Sequence, residues 1–408
     1  MELLAPAGNL EKLENTIRFG ADAVYCAAGA YSLRAAQTSF SLAELKQGLR
    51  FARAHGRKLY LAMNIFAFDR DLDGMIAYLE QAVRLGIDAV IISDPGLLHR
   101  INRRGINVRI HLSTQANTTN SDSVRFWQQQ GVHRVILARE LSLAQIGAIR
   151  SSVPGMELEA FVHGAMCIAY SGRCLLSQFM TGRSANRGDC THPCRWEYHL
   201  RETTRREAQT ISEDGRGTYI LNSRDLCMIE HLPELAAAGV DSIKVEGRMK
   251  SAYYVAAVTR VYRAALDSLA GGHYAYRPEW LAELKKVSHR PYTTGFYFPE
   301  ENAATEYTAG AAPLEGCAFI GTVEEHNQET NMLKVLGRNH FAVGDTVEIL
   351  DPDRPGIVEF TIGRIINETG EELKAAHNSY VVHIPLAGEH APAVGRHAIL
   401  RKKSVHPE

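Results

Sequence analysis

The chain has 408 residues, of which 45% are hydrophobic and 22% charged, a balance that excludes a disordered or fibrous protein. This length gives room for one barrel-sized domain and a smaller second domain. The formal net charge of −1 at pH 7 excludes attraction of the whole molecule to nucleic acid or anionic lipid, so any such binding depends on a local patch.

Targeting and redox signals are also readable from the sequence. It contains no apolar run long enough to cross a bilayer, and it begins Met1-Glu2-Leu3-Leu4, where a secretory signal needs a basic region and an apolar core. We therefore expect no membrane partner and a cytoplasmic location. The seven cysteines are odd in number and mostly clustered, which favours reduced thiols or metal ligands over a disulfide framework.

Strand-like apolar segments alternate with amphipathic segments over the first part of the chain. Eight strands are predicted, at residues 2–5, 23–27, 58–64, 89–93, 108–113, 134–138, 157–163 and 242–246. Amphipathic helices are predicted between them, for example at residues 9–19, 42–55, 71–85, 121–130 and 142–150. Eight strands without a G-x-G-x-x-G motif after the first favour an α/β fold of the closed (β/α)8 TIM-like barrel type over an open sheet.

The pattern divides the chain into two domains. Residues 1–284 are predicted to form the barrel, with a long insertion at about residues 164–240 after strand seven. Residues 285–314 contain several Gly and Pro residues and are predicted to be a connector. Short alternating segments at residues 319–323, 332–335, 346–350, 359–366 and 380–384 predict a small all-β barrel domain over residues 315–408.

The loop after strand seven is where the barrel fold would place an active site, and it is rich in cysteine. Its spacing is C-x6-C-x15-C-x3-C-x32-C, formed by Cys167, Cys174, Cys190, Cys194 and Cys227. Thiolates select zinc or an iron–sulfur cluster, and the spacing alone does not name the metal. The alternative is a set of unconnected buried cysteines, which is the reading we prefer for Cys26 and Cys317 in their strand-like contexts.

Cations surround this cysteine-rich segment. They are Arg173, Arg183, Arg187, Arg195 and Arg224, followed at the end of strand eight by Lys244, Arg248 and Lys250. Guanidinium groups suit bidentate contacts to carboxylate or phosphate, so an anionic substrate or an RNA backbone is one interpretation. The other is that these cations pair with Asp189, Glu197 and Asp225 or face solvent. His163 at the end of strand seven is a candidate proton donor or a structural histidine, and Asn64 and the Ser113-Thr114-Gln115 run are weaker candidates.

The run from residue 159 to 177, EAFVHGAMCIAYSGRCLLS, resembles the signature of the collagenase-like peptidase family of unassigned catalytic type. Matching segments at residues 2–8, 188–190, 194–196 and 244–248 extend the resemblance over the whole barrel. The better-understood members are oxygen-independent hydroxylation proteins. The length and domain order most resemble the branch that forms 5-hydroxyuridine at the tRNA wobble position with prephenate. Other branches act on a cytidine of ribosomal RNA or on a ubiquinone precursor.

The resemblance also implies site residues. It implies a [4Fe–4S] cluster on Cys167, Cys174, Cys190 and Cys227, with Cys194 as an alternative ligand. It places a small anionic carboxylate substrate and tRNA near the arginines, and we expect His163, Arg173 and Arg248 to be catalytic. An electron-donor or other partner protein is a further expectation.

Two other hypotheses remain. A peptidase is suggested by the family label, although the sequence has no H-E-x-x-H zinc helix and no G-x-S-x-G motif, and a pairing of Cys167 with His163 depends on geometry. A non-catalytic, zinc-stabilised RNA-binding module is the other.

Overall fold

The computed structural model describes residues 1–27, 29–33, 39–167, 169–196, 213–214, 217–218, 223–272, 274–298, 314, 316–354, 356–386 and 393–403. Among these residues, no helix is both long and apolar enough to cross a membrane.

Eight parallel strands close into a barrel, as predicted. They are β1 (Glu2–Ala7), β2 (Ala23–Ala27), β3 (Lys58–Met63), β4 (Ala89–Ile92), β5 (Arg109–Leu112), β6 (Arg134–Ile136), β7 (Glu157–Ala165) and β11 (Ser242–Val245). Closure is achieved because β11 pairs in parallel with both β1 and β7. Nearly every strand residue is buried, which is why these segments are apolar almost throughout. The TIM-like fold is therefore confirmed.

Helices connect the strands on the outside of the barrel. They are α1 (Leu10–Arg18), α2 (Leu42–Ala54), α3 (Asp69–Leu85), α4 (Pro95–Arg103), α5 (Ser121–Gln129), α6 (Leu143–Ser152), α8 (Leu232–Ala237) and α9 (Ala252–Ala270), with α10 (Pro278–Leu284) after them. Most begin at a residue whose side chain accepts a backbone N–H of the first turn: Asn9, Ser41, Asp94, Asn120, Ser142 and Ser251. These caps set the start of each helix on the carboxyl side of the preceding strand.

The insertion and the segment after α10 contain elements that the sequence pattern did not reveal. The insertion holds α7 (Leu176–Thr181), the short strands β8 (Glu213–Asp214) and β9 (Gly217–Thr218), and β10 (Asp225–Cys227). β10 runs antiparallel to β7, with Cys227 opposite His163, and β12 (Tyr292–Thr293) pairs with β10. Residues 285–314 therefore do more than connect, since β12 extends the barrel sheet. Strands of two or three residues are too short to show an alternating pattern.

The C-terminal domain is all β, as predicted. Its strands are β13 (Cys317–Asn327), β14 (Met332–Gly337), β15 (Phe341–Ala342), β16 (Thr346–Leu350), β17 (Ile357–Thr361), β18 (Ile365–Asn367), β19 (Glu372–Leu373), β20 (Ala375–Ala376), β21 (Val381–Pro385) and β22 (Ile399–Lys403). Eight of them form an antiparallel sheet in the order β17-β16-β22-β13-β14-β21-β18-β19 around a separate apolar core. The single strand expected at residues 359–366 is two strands, because the chain leaves the ladder between Thr361 and Ile365.

Candidate active site at the cysteine loop

A cavity of about 140 Å³ lies at the carboxyl ends of the barrel strands. Its barrel wall consists of side chains from six strands, namely Tyr25, Ala62, Ile91, Ile136, Phe161 and Lys244. Its outer wall is formed by residues 166–196, which follow β7 and which we call the cysteine loop. This is the end of the fold at which (β/α)8 enzymes carry their active sites.

Four thiols line this cavity, those of Cys167, Cys174, Cys190 and Cys194. None forms a disulfide, and Cys167 is exposed whereas the other three are half-buried. Two of the sulfurs already accept backbone hydrogen bonds: Leu176 N donates to Cys174 Sγ at 3.3 Å and His192 N donates to Cys190 Sγ at 3.4 Å. Hydrogen bonds of this kind stabilise negative charge on sulfur, as in metal-ligating thiolates.

A tight backbone shape presents these sulfurs to the cavity. Ser171 and His192 have positive φ angles of 42° and 55°. Gly172 has φ 81°, and a Cβ there would lie 2.7 Å from Gln115 Nε2 and 3.9 Å from Cys167 Sγ. Glycine is therefore required at this position both by its conformation and by the close approach of its neighbours.

Arg187 anchors the cysteine loop to α3. Its guanidinium donates to both carboxylate oxygens of Asp71, at 2.7 and 3.0 Å, and to Phe66 O at 3.1 Å. The hydrogen bonds from Arg187 lower the pKa of Asp71 to about 2. Next to it, Asn186 O accepts from Phe66 N and Asn186 Oδ1 accepts from Cys174 N. The position of Cys174 thus depends on contacts that reach back to the barrel.

Cys227, one of the four ligands that the resemblance implies, lies apart from the four cavity cysteines. It ends β10, is 8% exposed, and does not line the cavity. Its Sγ lies 4.0 Å from Tyr262 Oη on α9, and burial raises the pKa of its thiol to about 12. The antiparallel return of β10 along β7 is what carries Cys227 away from the cysteine loop.

His163 also lies outside the cavity, contrary to the expectation that it acts there. Its ring is 1% exposed and is enclosed by the rings of Tyr254, Tyr262 and Tyr292, with centroids 5.4 to 6.0 Å away. Burial lowers its pKa to about 3, so it stays neutral near pH 7. The geometry favours the structural reading of this histidine over the proton donor.

The cations around the cavity fall into two groups. Arg139, Lys244 and Arg248 line it. Arg248 donates to Ser32 Oγ at 2.7 Å, and Arg139 donates to Ala165 O at 3.0 Å with its guanidinium 4.2 Å from the Phe161 ring centroid. Arg248 is therefore placed as expected, while Arg139 was missed; its position directly after β6 was the available signal.

The second group lies on the outside of the cysteine loop. Arg183 and Arg187 pair with Asp189 and Asp71, which is the alternative interpretation that the sequence allowed. Arg173 does not line the cavity; its Nε donates to Gln115 O at 2.9 Å, and its guanidinium lies 5.4 Å from the Phe66 ring centroid. The side chains of Arg195 and Glu197 fall outside the described residues, and Asp225 pairs with Arg290 at 3.5 Å.

Lys244 joins the cavity to a chain of buried charges inside the barrel. Its Nζ donates to Glu159 at 3.0 Å and lies 4.3 Å from the Tyr25 ring centroid. Arg134 contacts the same carboxylate at 3.0 Å and also pairs with Glu2. Burial lowers the pKa of Lys244, and Glu159 opposes this effect. Buried charges are tolerated only when they are paired. The pairing with Glu159 therefore holds the Lys244 ammonium group at the floor of the cavity.

A line of polar side chains runs across the strand ends beside Arg248. Ser32 Oγ, the acceptor from Arg248, lies 3.4 Å from Asn64 Oδ1, and Asn64 Nδ2 donates to Ser113 Oγ at 3.1 Å. Asn64, Ser113, Thr114 and Gln115 all line the cavity, in agreement with their place at the ends of β3 and β5.

The donor set of the cavity fits a thiolate-ligated metal centre by its chemistry. In the part of the chain that the structure describes, no three His, Cys, Asp or Glu side chains converge closely enough to hold an ion as they stand. The four cavity thiols nevertheless share one space, and two of them carry N–H donors, which is the environment that a ligating thiolate needs.

Fold and site together define a (β/α)8-barrel protein with a cysteine-lined cavity at the carboxyl ends of its strands and an all-β C-terminal domain. A family model described as Peptidase family U32 matches residues 8–306, and one described as Peptidase family U32 C-terminal domain matches residues 315–401. The chain belongs to peptidase family U32, which confirms the resemblance seen in the sequence.

Relatives within this range carry more than one kind of name. The chain is 39% identical to the tRNA hydroxylation protein P1 of Bacillus subtilis, over 92% of this chain and 89% of the relative. It is 38% identical to the tRNA hydroxylation protein P of Escherichia coli, over 94% and 93%. It is 29% identical to a collagenase of Porphyromonas gingivalis, over 88% of each chain.

Proposed function

We propose that this protein is an RNA-modifying enzyme that hydroxylates the wobble uridine of tRNA to 5-hydroxyuridine without molecular oxygen. The observation that carries the proposal is a single cavity lined by four thiols and by three cations, Arg139, Lys244 and Arg248. The similarity to tRNA hydroxylation proteins over nearly the whole length supports the choice of tRNA. The expected cytoplasmic location belongs to this proposal, since tRNA is the substrate.

The proposed metal centre is a [4Fe–4S] cluster. Cys167, Cys174 and Cys190 belong both to the set implied by the resemblance and to the set that lines the cavity. The shared cavity favours Cys194 as the fourth ligand, whereas the resemblance implies Cys227. A cluster of this type, held by four cysteines, would supply one-electron chemistry.

The cations of the cavity are proposed to bind the carboxylates of prephenate. Arg139 and Arg248 follow β6 and β11, the two strands that flank β7, and Lys244 lies on β11 at the floor. Guanidinium groups bind carboxylates in a fixed bidentate geometry, and the enclosed cavity strengthens these contacts by excluding water. The Tyr25 and Phe161 rings offer flat apolar surfaces beside the cations for the ring of a substrate.

The peptidase hypothesis is disfavoured by one geometric fact. His163, the histidine considered as the partner of Cys167, is enclosed by tyrosines and does not line the cavity, although His192 does. Cleavage of a collagen-like substrate that is lost in Cys167→Ala and persists after metal removal would restore that hypothesis.

The proposed function is tested by deleting the gene and measuring tRNA nucleosides by mass spectrometry. We expect loss of 5-hydroxyuridine and its return with the wild-type gene but not with Arg248→Gln. Unchanged 5-hydroxyuridine together with loss of a hydroxycytidine from ribosomal RNA would redirect the proposal to that substrate. Iron and sulfide quantification after anaerobic purification tests the cluster, and one equivalent of zinc without iron would favour a zinc-stabilised RNA-binding module.

Single Cys→Ser variants identify the fourth ligand. Iron is expected to be lost from the variants of Cys167, Cys174 and Cys190. Loss of iron from Cys194→Ser with retention in Cys227→Ser is the result that the observed arrangement predicts. The reverse result would require β10 to move toward the cysteine loop when the cluster binds.

A further inference from the structure

A second depression, of about 430 Å³, lies beside the cysteine-lined cavity on the same end of the barrel. Its walls include Ala116, Asn117, Thr118, Asn120, Phe126 and Trp127, and we call it the α5 groove. One turn of chain, the 3₁₀ turn Thr114–Ala116, separates the two spaces: Thr114 and Gln115 line the cavity, and Ala116 and Asn117 line the groove. The α5 groove is therefore within reach of the nucleotide next to one whose base enters the cavity.

Aromatic surface is exposed at this place. The Phe126 side chain is 51% exposed and packs edge-on against Trp127, with ring centroids 5.1 Å apart. Tyr170 of the cysteine loop is 53% exposed, and its carbonyl oxygen lies 3.5 Å from Asn117 Nδ2. Exposed rings beside a polar groove are the surfaces on which unpaired bases stack.

Arg173 supplies a cation at the same turn. Its Nε donates to Gln115 O, which belongs to the wall between the cavity and the groove. The side chain is exposed, and Arg173 forms no ion pair with a carboxylate of the described residues. By contrast, Arg125 next to the groove is bound to Asp122 at 2.5 Å, so that the one carboxylate lining the groove has its charge offset. Arg173 is therefore a cation near the rim that suits a phosphate, while the Glu140 carboxylate, which accepts from Ser171 N and Ser171 Oγ, is an anion beside Tyr170.

Asn117 adds a hydrogen-bonding group for a base edge. Its φ of 53° is in the left-handed region, which Asn tolerates better than most residues. Its Oδ1 is buried without a hydrogen-bond partner in the described part of the structure, and its Nδ2 donates to Tyr170 O only at the long distance of 3.5 Å. Turning the amide toward a ligand would therefore exchange one long hydrogen bond for bonds to the ligand and would give the oxygen a partner.

We propose that the α5 groove binds an unpaired nucleotide adjacent to the one whose base enters the cavity, with Phe126 stacking on the base, Asn117 bonding its edge and Arg173 contacting its phosphate. The inference rests on the proposed function and extends it to the recognition of the RNA loop. Aromatic stacking, an amide and a guanidinium are together the groups that proteins use to hold splayed-out nucleotides.

The phosphate contact is tested by the salt dependence of tRNA binding. For Arg173→Gln we expect the slope of log K against log salt concentration to become shallower by about 0.7, the effect of losing one phosphate contact to single-stranded nucleic acid. The control is Arg104→Gln, which removes an exposed cation, paired with Glu80, at the C-terminal end of α4 on the opposite end of the barrel. The control should keep the wild-type slope.

The stacking contact is tested by two replacements of one ring. Phe126→Leu should weaken tRNA binding about tenfold, while Phe126→Tyr should bind within about twofold of wild type, because a base stacks on either ring. Asn117→Gly keeps the left-handed backbone and removes the amide, and a several-fold loss of affinity is expected. Thermal unfolding and iron content should match wild type in the Phe126 and Arg173 variants, since both residues are exposed. Asn117 is half-buried, so binding by its variant is compared with wild type at a temperature at which both are folded.

The outcomes separate this inference from the proposed function. Wild-type protein that binds and hydroxylates tRNA, with Phe126→Leu and Arg173→Gln doing so equally well, overturns the inference and leaves the function intact. Wild-type protein that neither binds nor hydroxylates tRNA overturns both. Uridine monophosphate alone should bind too weakly to compete with tRNA for the protein. Tight binding of the free nucleotide would overturn the inference and assign the groove to a small-molecule ligand.

Discussion

His163 couples the stability of the protein to pH through its burial. In the unfolded chain the imidazole has a pKa near its usual 6.5, whereas burial in the folded protein lowers the pKa to about 3. Below pH 6.5 the unfolded state therefore binds a proton that the native state excludes, and stability falls as the pH falls through this window. Between pH 7 and pH 5.5 this residue alone should remove about 1 kcal/mol from the free energy of unfolding.

Replacing His163 by Gln removes this contribution, so the variant should lose about 1 kcal/mol less than wild type over the same interval. Urea unfolding at pH 7 and pH 5.5 measures the difference. His99→Gln is the control, because His99 is exposed on α4 and is not enclosed as His163 is. Equal pH dependence of wild type and His163→Gln would mean that water reaches the ring in the native protein.

The sequence could not show which side of β7 His163 occupies. Alternation would place Phe161 and His163 on the same face of a regular strand. The register shifts by one residue between Lys244 and Val245, whose partners are Phe161 and His163, and a shift of this kind turns the following side chain to the other face. Phe161 lines the cavity and His163 does not. A bulge leaves no mark in the periodicity of a nine-residue apolar strand.

At the scale of elements, the cysteine loop depends on its attachment to α3. Arg187→Gln removes the bidentate contact with Asp71 and the bond to Phe66 O. Because the pair is partly exposed, we estimate a loss of about 1 kcal/mol of loop stability, which corresponds to about fivefold faster opening. With the proposed cluster in place, iron should pass to a chelator about fivefold faster than in wild type.

The same loop offers the control. Arg183→Gln removes an equally charged side chain from a pair with Asp189 that is exposed on both sides, and its iron should be lost at the wild-type rate. Arg187→Lys should not restore the slow rate, since an ammonium group cannot form the bidentate contact. If iron loss is the same in all variants, the cysteine loop is held by its metal and not by α3.

Elements differed in how far the sequence predicted them. The barrel strands were predictable because burial on both faces makes them continuous apolar runs, and the spacing of Cys167, Cys174, Cys190 and Cys194 marked the loop that lines the cavity. The position of Cys227 could not be predicted, because β10 has only three residues and pairs with a strand about sixty residues earlier. Pairings between such short and distant segments depend on tertiary packing, and the local sequence pattern contains no information about it.

At the scale of the whole molecule, the two domains are joined through a buried arginine. Arg401 of β22 is wholly buried and bonds Glu348 of its own domain at 2.6 and 2.7 Å. It also pairs with both carboxylate oxygens of Glu283 on α10 and donates to Tyr253 Oη on α9 at 3.0 Å. Burial would raise the pKa of Glu283, but its bonds with Arg401 lower the pKa overall. The barrel and the C-terminal domain thus share one charge network.

Removing Arg401 should therefore destabilise the contact between the domains and not only the β-domain. Arg401→Met leaves two poorly hydrated carboxylates, and breaking a buried pair in this way costs about 3–5 kcal/mol. Lys286 still offsets part of the negative charge, because its Nζ lies 3.2 Å from Glu283 and 3.3 Å from Glu348. We therefore expect the variant to lose about 3 kcal/mol of the free energy of unfolding. Denaturant unfolding should give this loss and a separate, earlier transition of one domain.

The exposed pair of Arg364 with Glu372 on the C-terminal domain provides the comparison, and Arg364→Gln should change stability by less than about 1 kcal/mol. Glu283 lies next to the last residue of α10, and the segment after α10 leads into β12, which pairs with β10. If the C-terminal domain separates from Glu283, this segment should become more mobile and the pairing of β12 with β10 should weaken. Arg401→Met should for that reason increase hydrogen exchange at Asp225–Cys227 as well as in β22. Increased exchange confined to β22 would show that the charge network holds the domain without stabilising the sheet near the cavity.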